Sequence, residues 1–189
     1  IRQICNQHNW LMMLDEVQTG NGRTGKYFAY QHTSIIPDVI TTAKGLGNGF
    51  PIGAVMTQGR GAGVLTAGNH GSTYSGTPLG SRVVYTVIDT IQKENLVENA
   101  AEMGAYIVEQ FRTQLAAQNV AVRGFGLMIG IELPKACADL VHIARDEYKV
   151  ILNVTAGSVI RLLPALNINK EQADQLIERV VKMVKSYLA

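Results

Sequence analysis

Two charged residues occupy places where charge is costly. Asp15 follows the apolar run Trp10–Leu14 (WLMML), and Lys44 follows the β-branched run Val39–Thr42 (VITT). Each spacing predicts an ionisable side chain at the end of a short interior strand, where a lone charge must find a partner. One reading is structural: the two pair with each other or with distant residues as a buried salt bridge. The other is chemical. Gly45, Gly47 and Gly49 crowd the chain after Lys44, and a lysine in an apolar, glycine-lined pocket has its ammonium form disfavoured by desolvation. The neutral amine can then attack a carbonyl and form a Schiff base. A carboxylate at a neighbouring strand end keeps a pyridine nitrogen protonated, so that the ring acts as an electron sink. Lys44 with Asp15 therefore points to pyridoxal phosphate.

That cofactor brings a phosphate, and His70-Gly71-Ser72-Thr73-Tyr74-Ser75-Gly76 lies just ahead of Pro78 and an expected helix. Hydroxyls and free N–H groups near a helix N-terminus bind anions. A plain loop is the competing reading, and no Walker lysine is present. Arg161, inside Val159-Ile160-Arg161-Leu162-Leu163, needs a carboxylate for its planar fork, either Glu132 or a substrate. Arg123 reads as a turn residue. The four histidines show no ligand spacing, so no metal site is expected.

These side chains need elements to hold them. WLMML reads as a strand buried on both faces, as in a parallel sheet. Val39–Thr42 is a second strand, and residues 53–57 form a third. Beyond Pro78 the period becomes helical: Val83, Val84, Val87, Ile88 and Ile91 share a face, and Val97 to Leu115 carry a second stripe. The pattern predicts one bent helix, or two joined near Asn95, over about residues 79–118. Strands are expected at 127–133, 150–154 and 159–163, and helices at 138–148 and 171–188, the last capped by Asn169. Ligands of open α/β sheets bind outside the carboxyl ends of strands, where Asp15 and Lys44 both fall.

Composition narrows the function. The 47% hydrophobic content of 189 residues supports a packed core. A net charge of +2 gives no nucleic-acid footprint. The charged fraction of 17% is below the usual level of about 25%, which suggests that a partner subunit or missing chain covers part of the surface. Cys5 and Cys137 form no CxxC pair, which suggests a reducing compartment. No apolar run is long enough for a membrane span, and no signal peptide is evident. A cytoplasmic protein is expected. The start at Ile1-Arg2-Gln3 reads as that of a fragment.

Longer motifs carry a resemblance. Leu14-Asp15-Glu16-Val17-Gln18-Thr19-Gly20, Gly22-Arg23-Thr24-Gly25, Pro37-Asp38-Val39-Ile40 and Ala43-Lys44-Gly45-Leu46-Gly47 closely resemble the class III, or ornithine-type, pyridoxal-phosphate aminotransferases. His70 to Tyr74, Arg123-Gly124 through Leu133, and Val159 to Pro164 match too. The resemblance implies an α/β fold of type I, with residues 1–92 as the later part of the cofactor domain and 93–189 as a C-terminal α+β small domain. It implies that Lys44 forms the Schiff base and shuttles protons while Asp15 meets the ring nitrogen. Val17 would pack on the ring, Gln18 would approach its phenolic oxygen, and the Glu16 backbone would lie alongside. Thr73 would reach the phosphate of a neighbouring subunit's cofactor, Ser72 would stand near substrate, and Arg161 would grip a substrate carboxylate. A homodimer with shared sites follows.

Within this family, GRTGKYFAYQH and IRLLPALNI most resemble the branch that acts on acetylated ornithine, and that resemblance implies transfer of the terminal amine of N-acetylornithine to 2-oxoglutarate, a step of arginine biosynthesis. Ornithine, succinyldiaminopimelate and 4-aminobutyrate are the alternative donors. Thr77 stands where many relatives have Asn, beside the phosphate site. The family's first half, with a phosphate turn, a ring cover and a further substrate arginine, is missing, so the isolated chain is expected to be inactive. The competing classes are a noncatalytic module derived from the family and a generic phosphate-binding α/β domain; the latter lacks its fingerprint.

Overall fold

In the computed structural model, which describes residues 1–189, the β-branched run Val39–Thr42 forms β2, the middle strand of a three-stranded sheet. β1 (Met13–Asp15) pairs with it in parallel and β3 (Ala54–Thr57) antiparallel. The register sets Asp15 opposite Thr41, and Thr41 opposite Val55. Because β1 and β2 run the same way, Asp15 and the residues after Thr42 emerge at one end of the sheet. A short helix, α1 (Arg2–Gln7), precedes this sheet, and α2 (Pro78–Lys93) follows it with Pro78 in its first turn. These elements belong to one unit, Ile1–Gly22 with Lys26–Asn95.

The sequence reading of β1 needs correction. Only three of its residues are strand, and Trp10, Leu11 and Met13 are exposed, Met13 to 62%. Val55 and Met56 on β3 are exposed as well. Only β2, paired along both edges, is mostly buried. Of the apolar run only Met13 and Leu14 are strand, and the chain covers it in part: Met12 is buried and Leu14 half-buried.

The second unit comprises Arg23–Gly25 with Leu96–Ala189. Asn95 takes a left-handed backbone (φ 51°), which asparagine tolerates, and so separates α2 from α3 (Leu96–Gln114). Four strands follow, β4 (Ala121–Phe125), β5 (Met128–Glu132), β6 (Asn153–Thr155) and β7 (Val159–Leu162), in the antiparallel order β4-β5-β7-β6. α4 (Leu140–Asp146) and α5 (Lys170–Leu188) complete the unit. Period-two alternation in β5 buries Ile129 and Ile131, which oppose Leu162 and Ile160 of β7. Phe111 of α3 and Val180 and Val184 of α5 are fully buried in the same core. Each such side chain contributes about 1.5–3 kcal/mol. Asn169 caps α5: its Oδ1 accepts from the Gln172 N–H (2.9 Å), and the Gln172 side chain accepts from the Asn169 N–H (3.0 Å).

The GRTG motif joins this second core through close backbone packing. The Leu127 N–H donates to the Arg23 carbonyl (3.0 Å), and Arg23 Nη1 donates to the Leu127 carbonyl at 3.3 Å and to the Pro164 carbonyl. Burial lowers the Arg23 pKa from its usual value. A Cβ added to Gly126 (φ 50°) would fall 2.5 Å from Thr24 C, and one on Gly104 2.1 Å from the Gly126 oxygen. Only glycine fits these two places.

Candidate active site

Asp15 is positioned by its own strand and by the next. Its Oδ1 accepts from the Val17 backbone N–H (2.9 Å) and from the Thr41 hydroxyl (3.1 Å) on β2. These donors fix the carboxylate plane and leave Oδ2 free to accept from a further cationic donor. Lys44 lies three residues beyond Thr41, a chain reach of at most about 10 Å. It opens a short 3₁₀ turn, Lys44–Leu46, with a left-handed backbone (φ 49°). Its amine makes no hydrogen bond or ion pair within the chain. The structure thus brings Asp15 and Lys44 to the same end of neighbouring strands and does not pair them. The buried salt bridge expected as one reading is absent, and both residues are exposed. Desolvation of Lys44 is not supplied by this chain.

Glu16 is buried where Asp15 is exposed. Its backbone N–H donates to the Thr41 carbonyl (2.9 Å). Its carboxylate accepts from the backbone N–H groups of Ala29 (3.0 Å) and Tyr30 (2.8 Å) and from the Thr19 hydroxyl. The side chain anchors the turn after β1, and Val17 and Gln18 are half-buried beside it. Ser72 and Thr73 lie in an exposed turn in which the Ser75 N–H donates to the Ser72 carbonyl (3.2 Å).

Arg161 sits in the second unit on β7, opposite Gly130 and Asn153. It does not pair with Glu132. That carboxylate instead holds Arg123 Nη1 at 2.6 Å, and Arg123 lies in β4 rather than in a turn. The Arg161 Nε is buried without a hydrogen-bond partner, an unmet donor suited to an anion. Asn21, Thr41 and Thr42 escaped the sequence reading. The available signal was weak: an asparagine between two glycines, and two threonines just before Lys44.

A pyridinium ring needs a carboxylate held in the charged state and an amine within reach at the same rim. The oriented Asp15 and the unpartnered Lys44 fit that donor set. The fold is the α/β fold of type I shared with pyridoxal-phosphate-dependent aminotransferases. The family pattern "Aminotransferase class-III" matches residues 1–184, and the chain belongs to that family of transaminases. Acetylornithine aminotransferase from Nitrosomonas europaea is 48% identical over 190 residues, covering 100% of this chain and 48% of the relative. The protein of that name from Bacillus subtilis is 38% identical over 191 residues, covering 100% and 49%. Among solved structures, Plasmodium yoelii ornithine aminotransferase has a TM-score of 0.90 at 36% identity, covering 100% of this chain and 51% of its own. Acetylornithine aminotransferase from Elizabethkingia anophelis scores 0.89 at 32% identity, covering 97% and 48%. The chain spans about half the length of the curated relatives it matches.

Proposed function

We propose that this chain carries the reactive strand ends of a transaminase that moves the terminal amine of N-acetylornithine to 2-oxoglutarate in arginine biosynthesis. The observation that carries the reading is the juxtaposition of Asp15, oriented by two donors, with the unpartnered Lys44 in the turn just after the adjoining parallel strand. When bound, pyridoxal phosphate supplies an aldehyde that takes up amines and a ring that disperses negative charge. Asp15 would hold the protonated ring nitrogen, with Val17 N–H and the Thr41 hydroxyl keeping its carboxylate in place. Lys44 Nζ would take the proton from the substrate carbon that bears the amine and pass it to the cofactor carbon that keeps the nitrogen, and would carry a proton the opposite way onto the oxo-acid carbon in the second half-reaction. Val17 would pack on the ring and Gln18 would approach its phenolic oxygen, with the backbone at Glu16 alongside. Arg161 binds a substrate carboxylate through its planar fork.

Ser72 and Thr73 act toward the site of a second copy, Thr73 on the phosphate and Ser72 near substrate. The protein is then a cytoplasmic homodimer with shared sites. Exposed Leu79 and Tyr85 on α2 and exposed Tyr74 in the preceding loop support that contact. The half of the relatives' length that this chain does not span covers the exposed apolar residues Met13, Val55 and Met56 and closes the site to water. The chain alone does not transaminate. Likeness to ornithine aminotransferases makes ornithine the competing donor. Steady-state kinetics of the full-length enzyme with N-acetylornithine, ornithine, succinyldiaminopimelate and 4-aminobutyrate test the reading. The highest kcat/KM is expected for N-acetylornithine, and a higher value for any other donor contradicts it.

A further inference from the structure

We infer that Asn21 is a positioning residue for the reactive amine. Its side-chain amide reaches from the turn after β1 to the end of β2 and holds the backbone from which Lys44 projects. The inference rests on Lys44 being that amine. Asn21 is only 3% exposed, and it takes a left-handed backbone (φ 57°). Its Nδ2 donates to the Thr42 hydroxyl oxygen (3.0 Å) and to the Ala43 carbonyl (3.1 Å). Its Oδ1 accepts a long hydrogen bond from the Tyr27 hydroxyl (3.5 Å). One amide thus engages the two residues immediately before Lys44.

The hold matters because the backbone at Lys44 is itself unfavourable. A lysine with positive φ has its Cβ crowded against its own carbonyl, and such a conformation persists only where the surroundings impose it. The Ala43 carbonyl is gripped twice, by Asn21 Nδ2 and by the Leu46 N–H (3.0 Å) that closes the Lys44–Leu46 turn. Gly45 leaves room for the approach: a Cβ there would stand 3.3 Å from the Asn21 Cβ. Asn21 follows Asp15 by six residues along the turn, and its side-chain hydrogen bonds reach the end of β2 and Tyr27, not β1.

The residue type fits the task. Asparagine is among the few side chains that tolerate the left-handed region, and its NH₂ offers two donors for two acceptors. Aspartate would keep the shape and the backbone preference but set an oxygen against the Ala43 carbonyl oxygen. Glycine would keep the backbone and remove the hold. Loss of the hold lets Lys44 drift, and a misplacement of about 1 Å between reacting groups can cost on the order of a hundredfold in rate.

The test uses the full-length enzyme, with Asn21→Asp and Asn21→Gly beside Tyr27→Phe as control. Amide deuterium exchange is followed with and without cofactor, and kcat and KM are measured for both substrates. In both Asn21 variants we expect exchange over residues 44–48 to quicken at least tenfold, with residues 13–15 unchanged. We expect kcat to fall about ten- to hundredfold, with KM within about twofold, and Tyr27→Phe to match the parent. Three results overturn the inference: unchanged exchange at 44–48, faster exchange there with unchanged kcat, or exchange that rises equally across the chain with a lowered melting temperature. Failure of the underlying reading looks different. After borohydride reduction the parent would carry the cofactor on a lysine other than Lys44.

Discussion

Replacing Gly104 with alanine sets two effects of opposite sign against each other. Gly104 lies within α3, where alanine favours the helix by about 1 kcal/mol over glycine. Helix propensity alone therefore makes Gly104→Ala stabilising. The packing says otherwise. The added methyl would stand 2.1 Å from the Gly126 carbonyl oxygen and 2.2 Å from its carbon, far inside van der Waals contact. Gly126 cannot retreat, because its own α-carbon packs on the backbone of Thr24 and Gly25. Overpacking a core costs about 1–3 kcal/mol, and with backbone on both sides the upper end applies. The balance is about 2 kcal/mol of destabilisation, or roughly 4–8 °C in melting temperature for a protein of this size. Thermal and urea unfolding of the variant beside its parent measure it. A variant as stable as the parent, or more so, would refute the packing of the GRTG segment against α3.

Two further outcomes follow from single side chains. Asp38 accepts from the Met12 N–H (2.7 Å) and from Arg2 (2.7 Å), with Arg60 at 3.4 Å, and these hold its pKa down to about 2 from 3.8. Because the folded value is depressed, the contribution is present above about pH 4 and fades as the pH falls toward 2. Discounted for the partly exposed Arg60, it amounts to about 1–2 kcal/mol. Urea unfolding should therefore show Asp38→Asn weaker than the parent at pH 7, with the gap narrowing below pH 4. In the full-length enzyme, Asp15→Ala should still take up pyridoxal phosphate by visible absorbance yet lose most of its kcat, about a hundredfold or more. Normal turnover would remove Asp15 from the mechanism.

Much of the fold is written in local pattern. The β-branched Val39–Thr42 and the helical stripes around Asn95 form the expected elements, because propensity and burial agree there. Asn169 caps α5 as its position before an apolar stripe implies. What depends on distant chain was harder to read. Arg123 between glycine neighbours resembles a turn, yet β5 supplies a pairing edge that makes it strand. Arg161 was read as meeting either Glu132 or a substrate because the sequence does not show that Arg123 also flanks Gly130 in register, and tertiary geometry gives Glu132 to Arg123. The apolar WLMML signals a burial on both faces that this chain provides only at Met12 and in part at Leu14. The placing of Asp15 and Lys44 at one end of neighbouring strands was legible because each follows an apolar or β-branched run. Asn21 was not, since its acceptors lie 21 and 22 residues away.

The claim on which the rest depends is that the Lys44 amine condenses with the cofactor's aldehyde. Full-length enzyme loaded with pyridoxal phosphate, reduced with borohydride and digested should yield one stably modified peptide, the one containing Ala43-Lys44-Gly45, and Lys44→Ala should yield none. Modification of a different lysine in the parent, or undiminished modification in Lys44→Ala, would contradict it.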